Sequence, residues 1–448
     1  MTDKNPILNS EIFQQHIDTL VANYEQALSL QREAGGELES LLIHSGSEDT
    51  YFADDRHIPF QAYGHYLHWI PVNRPDQFAY ICPGQKPVYF QIVPDDYWHD
   101  QSIEIAEWWA SSFQIIRLGS VAEISKHLAD AELGYLGPDA SLANKFGIES
   151  DAVNPNNIIH NLDYQRAYKT AYEVAQLKAA NRLAVAGHAA ARDSFLHGGN
   201  EYQIHMAYLA ACGMLEDESP YTNIVALDKN SAILHYQHKQ RGNAEDSKVL
   251  LIDAGCRVSG YGSDVTRTSV KDNVHSTFKA LLVGMEEIEQ DLVAMVKPGI
   301  DYVDIHLATL SKIGQLLIDL DICRGSADEL MEKEISHLFM PHGVGHLLGI
   351  QVHDVGGHQQ DINGSTEAPP QHSPALRNTR KLGEAMVFTI EPGCYFIPLL
   401  LEPERGKERG QSINWKLVDE LYPCGGIRVE DNVLVTANSV ENLTRQFE

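Results

Sequence analysis

The chain is short of positive charge. Its 448 residues carry 34 Lys and Arg against 62 Asp and Glu, a formal net charge of −28. Phosphate binding needs a basic face, so nucleic acid and anionic membranes are not expected partners. The acidity reads as a well-solvated surface, with some carboxylates left for a cation site. Cysteine is scarce: the six residues Cys82, Cys212, Cys256, Cys323, Cys394 and Cys424 are scattered, with no CxxC spacing. That suits reduced thiols in a cytosol better than a disulfide framework. No apolar run approaches the roughly 20 residues that span a bilayer. Met1–Pro6 has no apolar signal-peptide core. The expectation is a soluble, cytoplasmic protein without a membrane partner. There is no internal repeat and no low-complexity tract.

What is present is an ordinary globular composition, 43% hydrophobic and 21% charged. The length exceeds the usual size of one core, which predicts two domains. The turn-rich Asn154-Pro-Asn-Asn157 places their boundary near residue 160, giving domains 1–160 and 161–448. Helical spacing is clear over Ser10–Leu30. Strands are expected over Leu41–His44, Phe78–Ile81, Val88–Val93 and Gly134–Gly137, and helices over Ser102–Phe113 and Val121–Glu132. The first domain is therefore a small mixed α/β unit, with no dense cluster of His, Asp and Glu. In the second, long helices are expected over Ala167–His197, Glu201–Leu215, Val274–Val296 and Tyr302–Leu317. Strands are expected over Thr222–Leu227 and Ser231–His235.

The chemistry concentrates in the second domain. Val249-Leu-Leu-Ile-Asp253 is a short apolar run ending in a carboxylate, and Gly260-Tyr-Gly262 turns the chain back toward Asp264. On a returning hairpin both acids can face one pocket, although Asp is also common in turns and caps. His342-Gly-Val-Gly-His346 has too much glycine for a regular helix and lacks the Glu of HExxH, so it reads as a loop bringing imidazoles to a site. His353 follows closely. Val387-Phe-Thr-Ile-Glu391-Pro-Gly sets a carboxylate at a strand end. In Gly426-Ile-Arg-Val-Glu430, alternation puts Arg428 and Glu430 on one face; an ordinary surface ion pair reads the same way. Asp253, Asp264, Glu391 and Glu430 around one point cannot all stay ionised without cations, and two divalent ions would roughly neutralise them. Four carboxylates with one histidine suit Mn²⁺, Co²⁺ or Fe²⁺ better than structural zinc.

Leu251-Ile-Asp253-Ala-Gly, Ser263-Asp264-Val-Thr-Arg267, His342-Gly-Val-Gly-His346, His353-Asp-Val-Gly, Thr389-Ile-Glu391-Pro-Gly and Gly426-Ile-Arg-Val-Glu430-Asp resemble the motifs of the pita-bread metallopeptidases. Their order is most similar to the bacterial Xaa-Pro dipeptidases, including the subgroup that hydrolyses organophosphorus triesters. The resemblance covers nearly the whole chain. It implies an α/β (α+β) protein whose C-terminal domain is a curved antiparallel sheet covered by helices, behind a smaller mixed α/β domain. It implies two divalent ions per subunit, Mn²⁺ first among them, held by Asp253, Asp264, His346, Glu391 and Glu430. Glu391 resembles the general base, while His342 and His353 resemble the groups that bind the scissile carbonyl. Arg377 matches the holder of a proline carboxylate, and Arg428 matches a residue that orients the bridging acids. Tyr221, His235 and Tyr302 match pocket positions, and Asp55 one that reaches a partner's site in a homodimer. The implied substrate is a dipeptide with C-terminal proline. The alternatives are an aminopeptidase P acting on longer peptides and a non-catalytic binding homologue.

Overall fold

Alternating apolar stretches in the first third build one five-stranded sheet. Its strands are β1 (Ser40–His44), β2 (Phe78–Ile81), β3 (Val88–Ile92), β4 (Gln114–Leu118) and β5 (Leu133–Leu136). They lie in the order β4-β3-β2-β1-β5, with β1/β5 and β3/β4 parallel and the rest antiparallel. Every residue of β1, β2 and β3 is buried, as strands covered on both faces require. The computed structural model describes residues 10–129 and 131–448. The described chain forms two compact units. One takes the residues up to Gln176 with Asp361–Ser365, the other Leu177–Gln360 with Thr366–Glu448.

The helix expected at Ser10–Leu30 runs over Ser10–Glu33, with Phe13, Ile17, Leu20, Tyr24 and Leu28 buried along one face. The helix expected over Ser102–Phe113 shrinks to Glu107–Ala110, because Asp100 takes the Ser102 N–H (2.9 Å) and hydroxyl (2.8 Å) and holds the start in a turn. Val121–Glu132 becomes a 3-10 turn over Val121–Lys126, and Gln114–Leu118 is a strand that the periodicity did not show. This unit also gathers a polar cluster that no local sequence signal announces. The His16 ring bonds Thr170 Oγ1 (2.9 Å) and the His68 carbonyl (2.8 Å), while His68 pairs with Glu173 at 3.2 Å. Every one of these groups has a protein partner, so the cluster reads as a buried structural ion pair.

The second unit is antiparallel throughout its described strands. β6 (Ile224–Leu227) and β7 (Val249–Asp253) are followed by a miniature hairpin, β8 (Arg257–Val258) and β9 (Tyr261–Gly262), and then by β10 (Thr266–Val270). β11 (Val387–Ile390), β12 (Gly393–Tyr395), β13 (Gly426–Arg428), β14 (Asp431–Val435) and β15 (Val440–Asn442) complete it. The sheets are β10-β7-β6, β11-β14-β15, β12-β13 and β8-β9, stitched by single bridges Thr266↔Glu430 and Leu347↔Phe388. Helices Ser276–Met295 and Tyr302–Asp319 form as read. The long helix begins at Ala171 rather than Ala167, behind a separate helix Asn156–Arg166. Ser231–His235 is no strand: Asp228–Ala232 winds as a 3-10 turn. Asp264 likewise lies between β9 and β10 rather than within a strand.

Candidate metal centre

Strand register assembles the site. Asp253, last in β7, is paired with Thr266 of β10, and Thr266 bridges to Glu430 between β13 and β14. Asp264 sits two residues before Thr266, its N–H and carbonyl both held by the Asn432 side-chain amide. β11 pairs with β14 so that Ile390 faces Asp431, and continuing the ladder by one residue sets Glu391 beside Glu430. The Glu391 and Thr389 amides donate to the carbonyls of Val344 (2.8 Å) and His346 (3.0 Å), which seats the glycine loop against β11. Gly345 has φ +151, and a Cβ there would meet the Thr389 carbonyl oxygen at 2.2 Å. Only glycine allows this approach.

Ligand atoms of Asp264, His346 and Glu430 all lie within 4.8 Å of one another. His346 Nε2 is 3.3 Å from Asp264 Oδ2 and 3.6 Å from Glu391 Oε1. Its Nδ1 bonds the Leu347 carbonyl at 3.0 Å, which makes Nδ1 the N–H donor and leaves Nε2 as the ligand atom. Tyr221 approaches Asp253 Oδ1 (2.8 Å) and Asp264 Oδ1 (2.6 Å), while Thr266 donates to Glu430 Oε2 at 2.6 Å. Arg428 donates to Asp253, to the Tyr395 hydroxyl (2.8 Å) and to Thr266 Oγ1 (3.1 Å). His342 joins from the far side, Nε2 to the Tyr395 hydroxyl at 3.0 Å. The His353 ring stands edge-on to His346 with centroids 4.3 Å apart.

The electrostatics are those of a buried, mutually repelling acid cluster. Burial lifts Asp253 to about 6 against the pull of Arg428, and the Asp264 charge adds to the rise. Burial lifts Glu391 to about 7 although His346 and Arg428 oppose it. Glu430 rises well above the carboxylate range through burial and then through Asp264, Glu391 and Asp253. Burial would raise Asp264 too, but the hydrogen bond and charge of His346, with Tyr221, bring it below its usual value. Divalent cations reverse this repulsion, and the donor set is hard, oxygen-rich and free of thiolate, so the residues fit such ions.

These groups line a cavity of about 270 Å³. Three larger depressions, of about 830, 470 and 840 Å³, hold no metal-ligand cluster among the described residues. His235, His342, His353, Arg377 and Arg428 share the cavity with four of the acids, Asp253, Asp264, Glu391 and Glu430. Arg377 is exposed and, among the described residues, makes no hydrogen bond or ion pair. Tyr302 is placed differently: it is fully buried, and its hydroxyl supports the Thr389 carbonyl at 2.8 Å rather than facing the cavity. Asp55 is an exposed residue of the other unit. Tyr395, Thr266 and Asn432, which accepts the Asp264 N–H at 3.1 Å, escaped the sequence reading, whereas Thr389 was legible from its alternation with Glu391. Tyr395 left no local signal.

A carboxylate-rich centre at the ends of antiparallel strands defines a divalent-metal hydrolase. Comparison with known proteins narrows the class. The pattern described as "Metallopeptidase family M24" matches residues 175–437, and that of "Xaa-Pro dipeptidase, N-terminal domain" matches residues 11–164. The Xaa-Pro dipeptidase of Pseudoalteromonas atlantica is 40% identical over 98% of both chains. That of Aeromonas hydrophila is 40% identical over the same shares. Among solved structures, Escherichia coli aminopeptidase P with the inhibitor Pro-Leu superposes with a TM-score of 0.74 at 21% identity, over 98% of this chain and 96% of that one. This chain belongs to metallopeptidase family M24, and its larger unit has the pita-bread fold.

Proposed function

We propose that this protein is a cytoplasmic, homodimeric Xaa-Pro dipeptidase. It would hydrolyse dipeptides with C-terminal proline to proline and a free amino acid, with residues 161–448 as the catalytic domain. One observation carries the substrate reading: the unpartnered Arg377 guanidinium shares a cavity of about 270 Å³ with the acid–histidine cluster. A cation with no protein partner beside a hydrolytic centre suits a substrate carboxylate, by charge-assisted bidentate pairing. The identity of 40% to curated Xaa-Pro dipeptidases along nearly the full chain supports it. All six cysteines are free thiols, in keeping with a reducing compartment. Among the described residues, no helix is long and apolar enough to cross a membrane. The homodimer rests on the family resemblance, in which exposed Asp55 reaches the partner's site.

Asp253, Asp264, His346, Glu391 and Glu430 would hold two divalent ions, Mn²⁺ by the resemblance. Bound there, the ions supply Lewis acidity and a water of lowered pKa. The protein's own groups do the rest. Arg377 fixes the proline carboxylate, which admits dipeptides and rejects chains that continue past proline. Burial holds His342 to about 3 and His353 to about 4, so both imidazoles are neutral at pH 7. Neutral His353 can donate one hydrogen bond to the scissile carbonyl oxygen without quenching the cluster. The single N–H of neutral His342 is instead held by the Gly343 carbonyl at 2.7 Å, so His342 acts through the Tyr395 hydroxyl that its Nε2 accepts from. Glu391 takes the proton of the attacking water and delivers it to the proline nitrogen. That nitrogen carries no N–H in the substrate and is hindered, which is why ordinary peptidases handle the bond poorly. His235 lines the remaining wall, Tyr221 ties Asp253 to Asp264 rather than lining the cavity, and Arg428 keeps Asp253 oriented.

Turnover of Leu-Pro against Leu-Pro-Pro tests this reading. Cleavage of the dipeptide with little of the tripeptide is expected; equal rates would make the protein an aminopeptidase P instead. Hydrolysis of organophosphorus triesters would be a side activity of the same centre. Paraoxon turnover no faster than that of Asp264→Asn would dismiss it.

A further inference from the structure

The Arg377 segment is pinned to the protein body in a way the hydrolytic chemistry does not require. Four residues before Arg377, the buried Ser373 hydroxyl sits between two imidazoles. His306 Nε2, on helix Tyr302–Asp319, is 2.8 Å away, and His337 Nε2, on helix Ile335–Phe339, is 3.2 Å away. Burial holds His306 down to about 4 and also lowers His337. Both rings are therefore neutral at pH 7, and each offers one donor and one acceptor nitrogen. The hydroxyl can then donate to one Nε2 and accept from the other. Nδ1 of both histidines is buried without a partner, so among the described residues Ser373 is the one hydrogen-bond partner of each ring.

The fixation travels to Arg377 along a short, taut path. The Leu376 N–H donates to the Ser373 carbonyl at 3.0 Å, and the Ser373 N–H to the Pro370 carbonyl at 2.8 Å. His358 Nε2 holds the Leu376 carbonyl at 2.9 Å. The Leu376 backbone presses on Gly343, where an added Cβ would meet Leu376 Cα at 2.8 Å. The segment has no slack between its anchor and the cavity.

We infer that Ser373, clasped by His306 and His337, is a positioning residue that sets where the Arg377 guanidinium meets the substrate carboxylate, and so sets selectivity for dipeptides. This rests on the reading of Arg377 given above. The clasp touches neither substrate nor the acid cluster, so it acts on carboxylate recognition and leaves the chemical step alone.

The test uses the full-length, metal-loaded enzyme, with Leu-Pro and its neutral analogue Leu-Pro amide. Arg377→Met should erase the preference for the free carboxylate. Ser373→Ala should raise KM for Leu-Pro about tenfold, keep kcat and metal content, and leave KM for the amide unchanged. His306→Gln, which keeps a polar nitrogen near the Nε2 position, should behave as wild type, and His306→Phe should behave as Ser373→Ala. In the Arg377→Met background, Ser373→Ala should add nothing. Should Arg377→Met leave the preference intact, the carboxylate-holding role falls and the positioning role with it. Should Arg377→Met erase the preference while Ser373→Ala leaves both KM values unchanged, or shifts them equally, the clasp alone is refuted.

Discussion

The Arg428 guanidinium closes on the Asp253 carboxylate at 2.5 Å, and both groups are drawn into the wall of the acid cluster. The same guanidinium takes the Tyr395 hydroxyl and Thr266 Oγ1, so one cation ties together three strands, β7, β10 and β12. Arg428→Met leaves Asp253 buried beside Asp264 with no compensating charge. The expected result is a loss of about 3 kcal/mol in folding stability and of at least about tenfold in metal affinity. Urea denaturation and metal titration by calorimetry measure the two separately. A variant as stable and as metal-avid as wild type would contradict the role given to Arg428.

Removing the ions should act on stability as well as on turnover. Because ligands that bind only the folded state stabilise it by mass action, saturation at about a hundred times Kd should add about 2.7 kcal/mol. Chelation is expected to abolish peptide hydrolysis and lower the melting temperature, and Mn²⁺ to restore both. Elemental analysis should find two ions per chain. Asp264→Asn, which removes one acid from the centre, should bind fewer.

The glycine loop is a steric prediction. Gly345→Ala drives a Cβ to 2.2 Å from the Thr389 carbonyl and 2.4 Å from the Tyr302 hydroxyl, in a backbone conformation that L side chains avoid. The expected cost is on the order of 3 kcal/mol, together with loss of the His346 position. Gly242→Ala, where a Cβ meets nothing within 4 Å, should be nearly neutral. Thermal unfolding of the metal-free proteins compares them.

Three buried histidines give the fold a pH-dependent contribution to stability that can be isolated one ring at a time. Burial brings His16, His188 and His306 each down to about 4 from 6.5. Between those values the unfolded chain binds protons that the folded chain refuses. The histidine contribution is therefore full above about pH 6.5, is lost as pH drops toward 4, and changes no further below 4. The raised carboxyls of Asp253 (about 6) and Glu391 (about 7) act in the opposite sense in the metal-free fold. Each histidine contributes at most about 3 kcal/mol across the window. Urea midpoints at pH 7.5 and pH 5.0 provide the measurement, with His16→Gln expected to shallow the slope. A His16→Gln variant whose midpoints shift with pH just as in wild type would show that this ring is not held neutral.

Legibility in the sequence followed the range of the interactions. The helix at Ser10–Glu33 and strands such as Phe78–Ile81 are set by apolar periodicity, a local property, and could be read at sight. Helix Glu107–Ala110 fell short of its expectation because Asp100 captures the neighbouring backbone, a competition periodicity does not register.

The chemical identity of the centre was also a property of the sequence. Carboxylates and histidines in apolar, glycine-punctuated phrases need a reason to be buried, and their order resembled one family. What the sequence could not supply was register. Glu430 meets Asp253 because Thr266 pairs with one and bridges to the other, and Tyr395 joins His342 to Arg428 across distant segments. Tyr302 turned out to brace the Thr389 carbonyl instead of lining the cavity, and the His306–Ser373–His337 clasp had no local trace. Each of these depends on contacts between residues far apart in the chain. Only the packed sheets and helices decide which of many chemically acceptable partners a buried polar group meets.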